Sequence, residues 1–71
     1  MDSSKDAKQA GKRIKEIREK KKLTQAEVAK KAGMNINYFA VIERGEVVTT
    51  WPKLQKISDA LGVDISEISS K

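Results

Sequence analysis

"LTQAEVAKKAGMNINYFAVIERGE", residues 23–46, decides the fold, because two short helices can be read from it with their punctuation. Thr24 and Glu27 form a capping box: each side chain is set to take the other's backbone N–H. Leu23 and Val28 bracket that cap as a hydrophobic staple, and Gly33 stops the helix, which is predicted over residues 25–32. The device then repeats. Asn35 is the cap, Met34 and Phe39 are the staple, Gly45 is the stop, and a helix is predicted from Ile36 to Arg44. So short a connection makes the two helices cross steeply, with the small Ala29 at the junction and Val28, Ala32, Met34, Phe39 and Ile42 sharing one interior. The second helix nevertheless has apolar groups nearly all round, at Ile36, Tyr38, Phe39, Ala40, Val41 and Ile42. It is too short to be a buried centre, so part of its surface faces outward and must meet something.

The flanking segments supply the body against which this pair packs. From Ala7 to Lys22, Ala10, Ile14 and Ile17 form a narrow helical stripe, Asp6 is positioned as a cap, and Lys8, Lys12, Lys15 and Glu19 lie on a solvated face. Thr50 caps a fourth helix with Pro52 in its first turn, where a missing N–H costs little. Trp51, Leu54, Ile57 and Leu61 share one face of that helix, and Gly62 ends it. Asp64 and Glu67, stapled by Val63 and Ile68, start a last helix through Ser69. There is no alternating strand pattern, repeat or low-complexity run. The expectation is an all-α, compact five-helix domain over residues 7–69, between a flexible tail at 1–6 and a short tail at 70–71.

Composition narrows the function. A chain of 71 residues supports one core, and with no cysteine and no histidine it has neither disulfides nor a zinc site to reinforce it. Helix packing, helped by self-association, must supply the stability. The same absences, with no glycine-rich phosphate loop and with scattered carboxylates, argue against an enzyme, a metal or a cofactor. No apolar run approaches the roughly 20 residues of a membrane span, and the N-terminus lacks a signal peptide's apolar stretch, so the expectation is a cytoplasmic protein without a membrane partner. The net charge of +5 is uneven: residues 1–31 hold eleven Lys/Arg against five Asp/Glu, whereas residues 32–71 hold four against five. The basic charge belongs to the first two helices and points to an anionic partner.

Together these features make a helix-turn-helix, and the sequence resembles the phage-repressor type of that motif, the Xre/Cro-like transcriptional regulators. The resemblance runs from "GKRIKEIREKKKLTQAEVAKKAG" through "YFAVIERGE" to "LQKISDALGVDISEI", nearly the whole chain. It implies a regulator that sets its third helix into the major groove of double-stranded operator DNA. It further implies a homodimer on a palindromic site, with no small-molecule ligand. A groove about 12 Å wide admits one α-helix, and helix amino ends offer N–H groups to phosphates. By resemblance, Thr24 and Gln25 meet a phosphate, with Gln25 also able to brace helix three. Asn35, Ile36, Asn37, Ala40 and Val41 face base edges or adjacent phosphates, and Tyr38 and Arg44 lie toward the flanking backbone. Arg18 and Glu43 match a structural ion pair between the first and third helices.

Two departures stand out. Family members often carry Arg, Lys or Gln where this chain has Ala40 and Val41, so Asn37 is left as the amide able to pair with adenine, and Ile36 and Val41 would lean on thymine methyl groups and DNA shape. In "EVVTTWP", Trp51 stands where a small aliphatic residue is usual, and it is expected in the core or at an interface rather than stacked on DNA. Because the sequence stops after its fifth helix, no ligand-sensing domain is expected. That suits regulation by concentration, as in a controller protein of a restriction-modification system or a compact phage repressor. The rival readings are an antitoxin or a protein-interaction module that turns Ile36, Ala40 and Val41 toward another protein. The dimer surface is expected at Val63, Ile65 and Ile68, although Ile65 and Ile68 could instead cover the core.

Overall fold

The start of each helix follows from local chemistry. In the computed structural model, which describes residues 3–69 with side chains placed from Asp6 onward, Thr24 takes the N–H of Glu27 at 3.1 Å and gives its own N–H to Glu27 Oε1 at 2.8 Å. This completes the capping box, and α2 runs Gln25–Ala32. Asn35 Oδ1 accepts from the N–H of Asn37 at 2.7 Å, and α3 runs Ile36–Glu43. Thr50 caps α4, Trp51–Leu61, with the proline in its first turn. Gly33 and Gly62 end α2 and α4 in the left-handed conformation, at φ of 69° and 73°.

Three expectations are corrected. The first helix, α1, runs Ser3–Lys20, so it starts upstream of Ala7 and Asp6 lies inside its first turn instead of capping it. Residues 1, 2, 70 and 71, assigned to tails from the sequence, lie outside the described residues. The fifth helix is a single 3₁₀ turn at Ile65–Glu67, so the described residues hold four α-helices and no strand. Its Asp64 cap forms as expected, accepting from Ser66 N–H at 2.9 Å. The bonds that follow close over three residues, Glu67 N–H to the Asp64 carbonyl and Ile68 N–H to that of Ile65. So short a segment gains few bonds against the cost of nucleating a helix, and a tight turn is enough to fold Ile68 inward, where it is 3% exposed. Of the two places expected for Trp51 the core is excluded and an interface remains: as the first residue of α4 it stands before the helix reaches the interior, which Leu54 is the first to enter, and it is 54% exposed.

The core collects Ile14 of α1, Val28, Ala29 and Ala32 of α2, Phe39 and Ile42 of α3, and Leu54, Ile57 and Leu61 of α4. Full burial of each large aliphatic or aromatic side chain is worth about 1.5 to 3 kcal/mol, so this cluster is the main source of stability. Leu23 and Met34, the outer halves of the two staples, pack against it. Helix α2 is wedged between α3 and α4, while α1 lies across α3.

The α1–α3 crossing depends on Gly11, a residue that no motif reading picked out. A Cβ there would stand 2.4 Å from the carbonyl oxygen of Ile42 and 2.5 Å from that of Glu43. Gly45, at φ 71°, passes equally near the Lys8 backbone, where a Cβ would lie 2.5 Å from Cα. Two glycines therefore allow the C-terminal end of α3 to touch the α1 backbone.

Between α1 and α2, Lys22 takes the place usually given to glycine, at φ 59°. Its N–H reaches the Glu19 carbonyl and the next N–H, of Leu23, reaches that of Arg18, which ends α1 in a Schellman turn around a left-handed lysine. Lys22→Gly is expected to raise unfolding stability by up to about 1 kcal/mol in urea titration, because relief of left-handed strain exceeds the added freedom of the unfolded chain. A loss of stability would show that the turn carries no strain.

Candidate nucleic-acid interface

The outward surface of α3 is defined by what holds its inward surface. Glu43, at the last turn of α3, is 6% exposed, a depth at which an ionised carboxylate must be fully partnered. It is. Arg18 Nε donates to Glu43 Oε2 at 2.6 Å and its terminal nitrogen donates to Oε1 at 3.2 Å, a two-pronged contact across 25 residues of sequence. A third guanidinium N–H reaches the Leu23 carbonyl at 2.8 Å, which ties the α1–α2 turn into the same cluster. Hydrogen bonding to Glu43 holds the Arg18 guanidinium above its already high ordinary pKa, so it stays charged. Gln25 Nε2 completes the set with a bond to Glu43 Oε1 at 2.9 Å. One carboxylate thus fastens α1, α2 and α3, and the ion pair expected from the sequence is present. Gln25 braces α3 through one amide hydrogen and retains the other for an outside acceptor.

With Phe39, Ile42 and Glu43 inside, the opposite side of α3 presents Asn35, Ile36 and Asn37 as exposed residues, with Ala40 and Val41 half-buried beside them. Ile36 is 43% exposed, which places a branched aliphatic group at the amino end of a helix next to two amides. Thr24 is exposed at the amino end of α2. Arg44 follows α3 and forms a two-pronged pair with Glu46, at 2.9 and 3.2 Å. Both side chains are 56% exposed, so this pair contributes little to stability and can be exchanged for another anion. On the other flank, Tyr38 Oη accepts from Lys53 Nζ at 3.2 Å, and the same ammonium lies 4.7 Å from the Tyr38 ring centroid. That bond pulls the Tyr38 hydroxyl below its ordinary pKa.

The expected site residues therefore cluster along α3 and the start of α2, while the three proposed for a dimer surface separate. Ile68 belongs to the core; Val63 and Ile65 are half-buried at its edge. Sequence reading missed Gly11 and Lys53. A glycine inside a strongly helical pattern is a usable sign of close approach, and it is the signal by which Gly11 could have been found. Nothing local distinguishes Lys53 from other lysines, because its role depends on a side chain 15 residues away.

Three exposed carboxylates are held below their ordinary range: Glu27 by the Thr24 backbone N–H, Asp64 by that of Ser66, and Glu46 by Arg44. A carboxylate depressed in the folded state contributes stability above its unfolded pKa and loses it as pH falls through the folded one. Thermal midpoints are expected to decline progressively below about pH 4.5, with no histidine step near neutrality. A midpoint that rose on acidification would show that these bonds do not persist in solution.

Two helices closed by a tight turn, with the second braced by a buried ion pair and its far side bare, define a helix-turn-helix, and the chain belongs to the helix-turn-helix family of DNA-binding regulators, whose sequence profile matches residues 14–68. Within that class it is similar to the immunity repressor protein of Bacillus phage phi105, at 41% identity over 58 residues, which cover 82% of this chain and 40% of the phage protein. The chain thus spans less than half the length of that relative. Its fold is similar to that of the restriction-modification controller protein C.AhdI from Aeromonas hydrophila, with a TM-score of 0.86 and 28% identity over 90% of this chain and 97% of that one. Among the described residues, no helix is long and apolar enough to cross a membrane.

Proposed function

We propose that this protein is a sequence-specific, double-stranded DNA-binding transcriptional regulator that sets α3 into the operator major groove as a homodimer. The observation that carries the reading is the division of α3 into a fastened side and a bare side. Glu43 is held by Arg18 and Gln25, while Ile36 and Asn37 are left exposed at the helix amino end. Asn37 makes the paired contact with adenine N6 and N7, and Ile36 and Val41 meet thymine methyl groups. Thr24, Gln25 and Asn35 serve neighbouring phosphates through the amino ends of α2 and α3, and Arg44 exchanges Glu46 for a phosphate on the flanking backbone. A repressor or controller role agrees with the named relatives. Two-fold pairing would set two copies of α3 about 34 Å apart on a palindromic site. With Ile68 committed to the core, Val63 and Ile65 remain as the C-terminal apolar groups for that contact.

The test is affinity for a random-sequence duplex as a function of salt. A phosphate-binding regulator loses affinity steeply, with the logarithm of the binding constant falling linearly against that of salt concentration. No salt-sensitive binding at any concentration of protein would favour the protein-interaction reading, which the exposed Ile36 would then explain.

A further inference from the structure

We infer that Lys53 belongs to the DNA interface, where it positions Tyr38 and shares with it one phosphodiester of the strand flanking α3. The inference rests on the reading of α3 as a groove-bound helix and adds a residue from α4 to it. Lys53 is joined to Tyr38 twice, by the 3.2 Å bond from Nζ to Oη and by the seat of the ammonium over the ring, 4.7 Å from its centroid. The two contacts fix the Tyr38 ring against α4, so this flank of α3 has a set shape before any ligand arrives.

The polarity of the pair identifies what it can hold. Tyr38 Oη spends an acceptor site on Lys53 and lies beside the Thr49 hydroxyl, while the ammonium has two further N–H groups. The pair therefore presents mainly donors. A phosphodiester and the O6/N7 edge of guanine both offer acceptors only, and of the two the phosphodiester also carries the negative charge that answers the ammonium. Charge agrees with this. Lys53 is in the first turn of α4, which carries no acidic side chain, so its ammonium sits at the positive end of the helix dipole. The ion pairs of the described residues are Arg18–Glu43 and Arg44–Glu46, and Lys53 is in neither. An exposed cation placed against its own helix dipole and given a tyrosine hydroxyl as its partner is stabilised when an anion arrives.

The experiment measures the full chain's affinity for a random-sequence duplex across a salt series, for the wild type, Lys53→Gln, Lys53→Arg, Tyr38→Phe and the double variant Lys53→Gln/Tyr38→Phe. Lys53→Gln is expected to weaken binding about 3- to 10-fold at low salt and to reduce the salt slope by about one unit. Lys53→Arg should restore the slope. Tyr38→Phe, which removes no charge, should weaken binding with the slope unchanged, and the loss from Lys53→Gln should shrink in its presence. Both groups lie at the surface, and thermal midpoints are expected to stay within a few degrees of wild type. If Lys53→Gln instead lowers the midpoint, the Lys53→Arg slope and the Tyr38→Phe affinity decide. An unchanged slope in Lys53→Gln, or losses from the two substitutions that add independently, would overturn the inference. Wild-type chain with no salt-sensitive binding would overturn the groove reading itself, a different outcome.

Discussion

Glu43→Ala is expected to destabilise the fold by about 3 to 5 kcal/mol, a large part of the total stability of a domain this size. The carboxylate is 6% exposed and takes bonds from Arg18 at 2.6 and 3.2 Å and from Gln25 at 2.9 Å. Truncating it leaves a guanidinium, with its side chain only 12% exposed, facing a hole. The magnitude therefore comes from an uncompensated buried charge more than from the attraction lost. For that reason the double variant Arg18→Met/Glu43→Leu, which fills the space with apolar groups, should recover most of the loss. Urea unfolding of the two variants checks the argument. If Glu43→Ala cost less than about 1 kcal/mol, or if the double variant were the worse of the two, the cluster would not be what fastens α3.

Gly11→Ala should be the second large effect, a net loss of about 1 to 3 kcal/mol even though alanine favours a helix by about 1 kcal/mol over glycine. The new methyl carbon would lie 2.4 Å from the Ile42 carbonyl oxygen, and that atom belongs to a helix backbone that cannot rotate out of the way. Helices α1 and α3 must separate, which loosens the core around Ile14 and Phe39 and tilts the outward face of α3. Gly62→Ala is the comparison. A Cβ at Gly62 meets nothing within 4 Å, so only the strain of φ 73° remains, about 1 kcal/mol. Thermal unfolding of both variants distinguishes them: equal losses would mean that the α1–α3 approach tolerates a methyl group.

The parts of this fold that were legible in the sequence are those set by near neighbours. Thr24 with Glu27, Asn35 before α3, Thr50 before α4, and the closing glycines at 33 and 62 each act within a few residues, and the helices they bound are found there. The failures share a different cause. Trp51 has the helical spacing of a core residue, but periodicity does not say where along a helix the core begins. The last segment carries a helix's cap and staple, yet a cap cannot supply the bonds that sustain an α-helix, and a 3₁₀ turn results. The extra turn at the start of α1 carries no apolar stripe by which it could be recognised. At the site, resemblance located Arg18, Glu43 and the outward residues of α3. Resemblance also offered Gln25 as a brace for α3, which its bond to Glu43 supplies, whereas the closeness at Gly11 and the pairing of Lys53 with Tyr38 depend on how helices distant in sequence are laid together.

The central claim is that the bare side of α3 reads base edges, and it is tested most directly by selecting bound duplexes from a random pool with wild type and with Asn37→Ala. Wild type is expected to enrich a palindromic motif with half-sites one helical turn apart. Asn37→Ala should keep salt-sensitive binding and half-site spacing while losing preference for adenine at one position in each half, a discrimination worth about 1 to 3 kcal/mol. An identical motif from both proteins, or no enriched motif from either, would contradict the assignment of this surface to sequence reading.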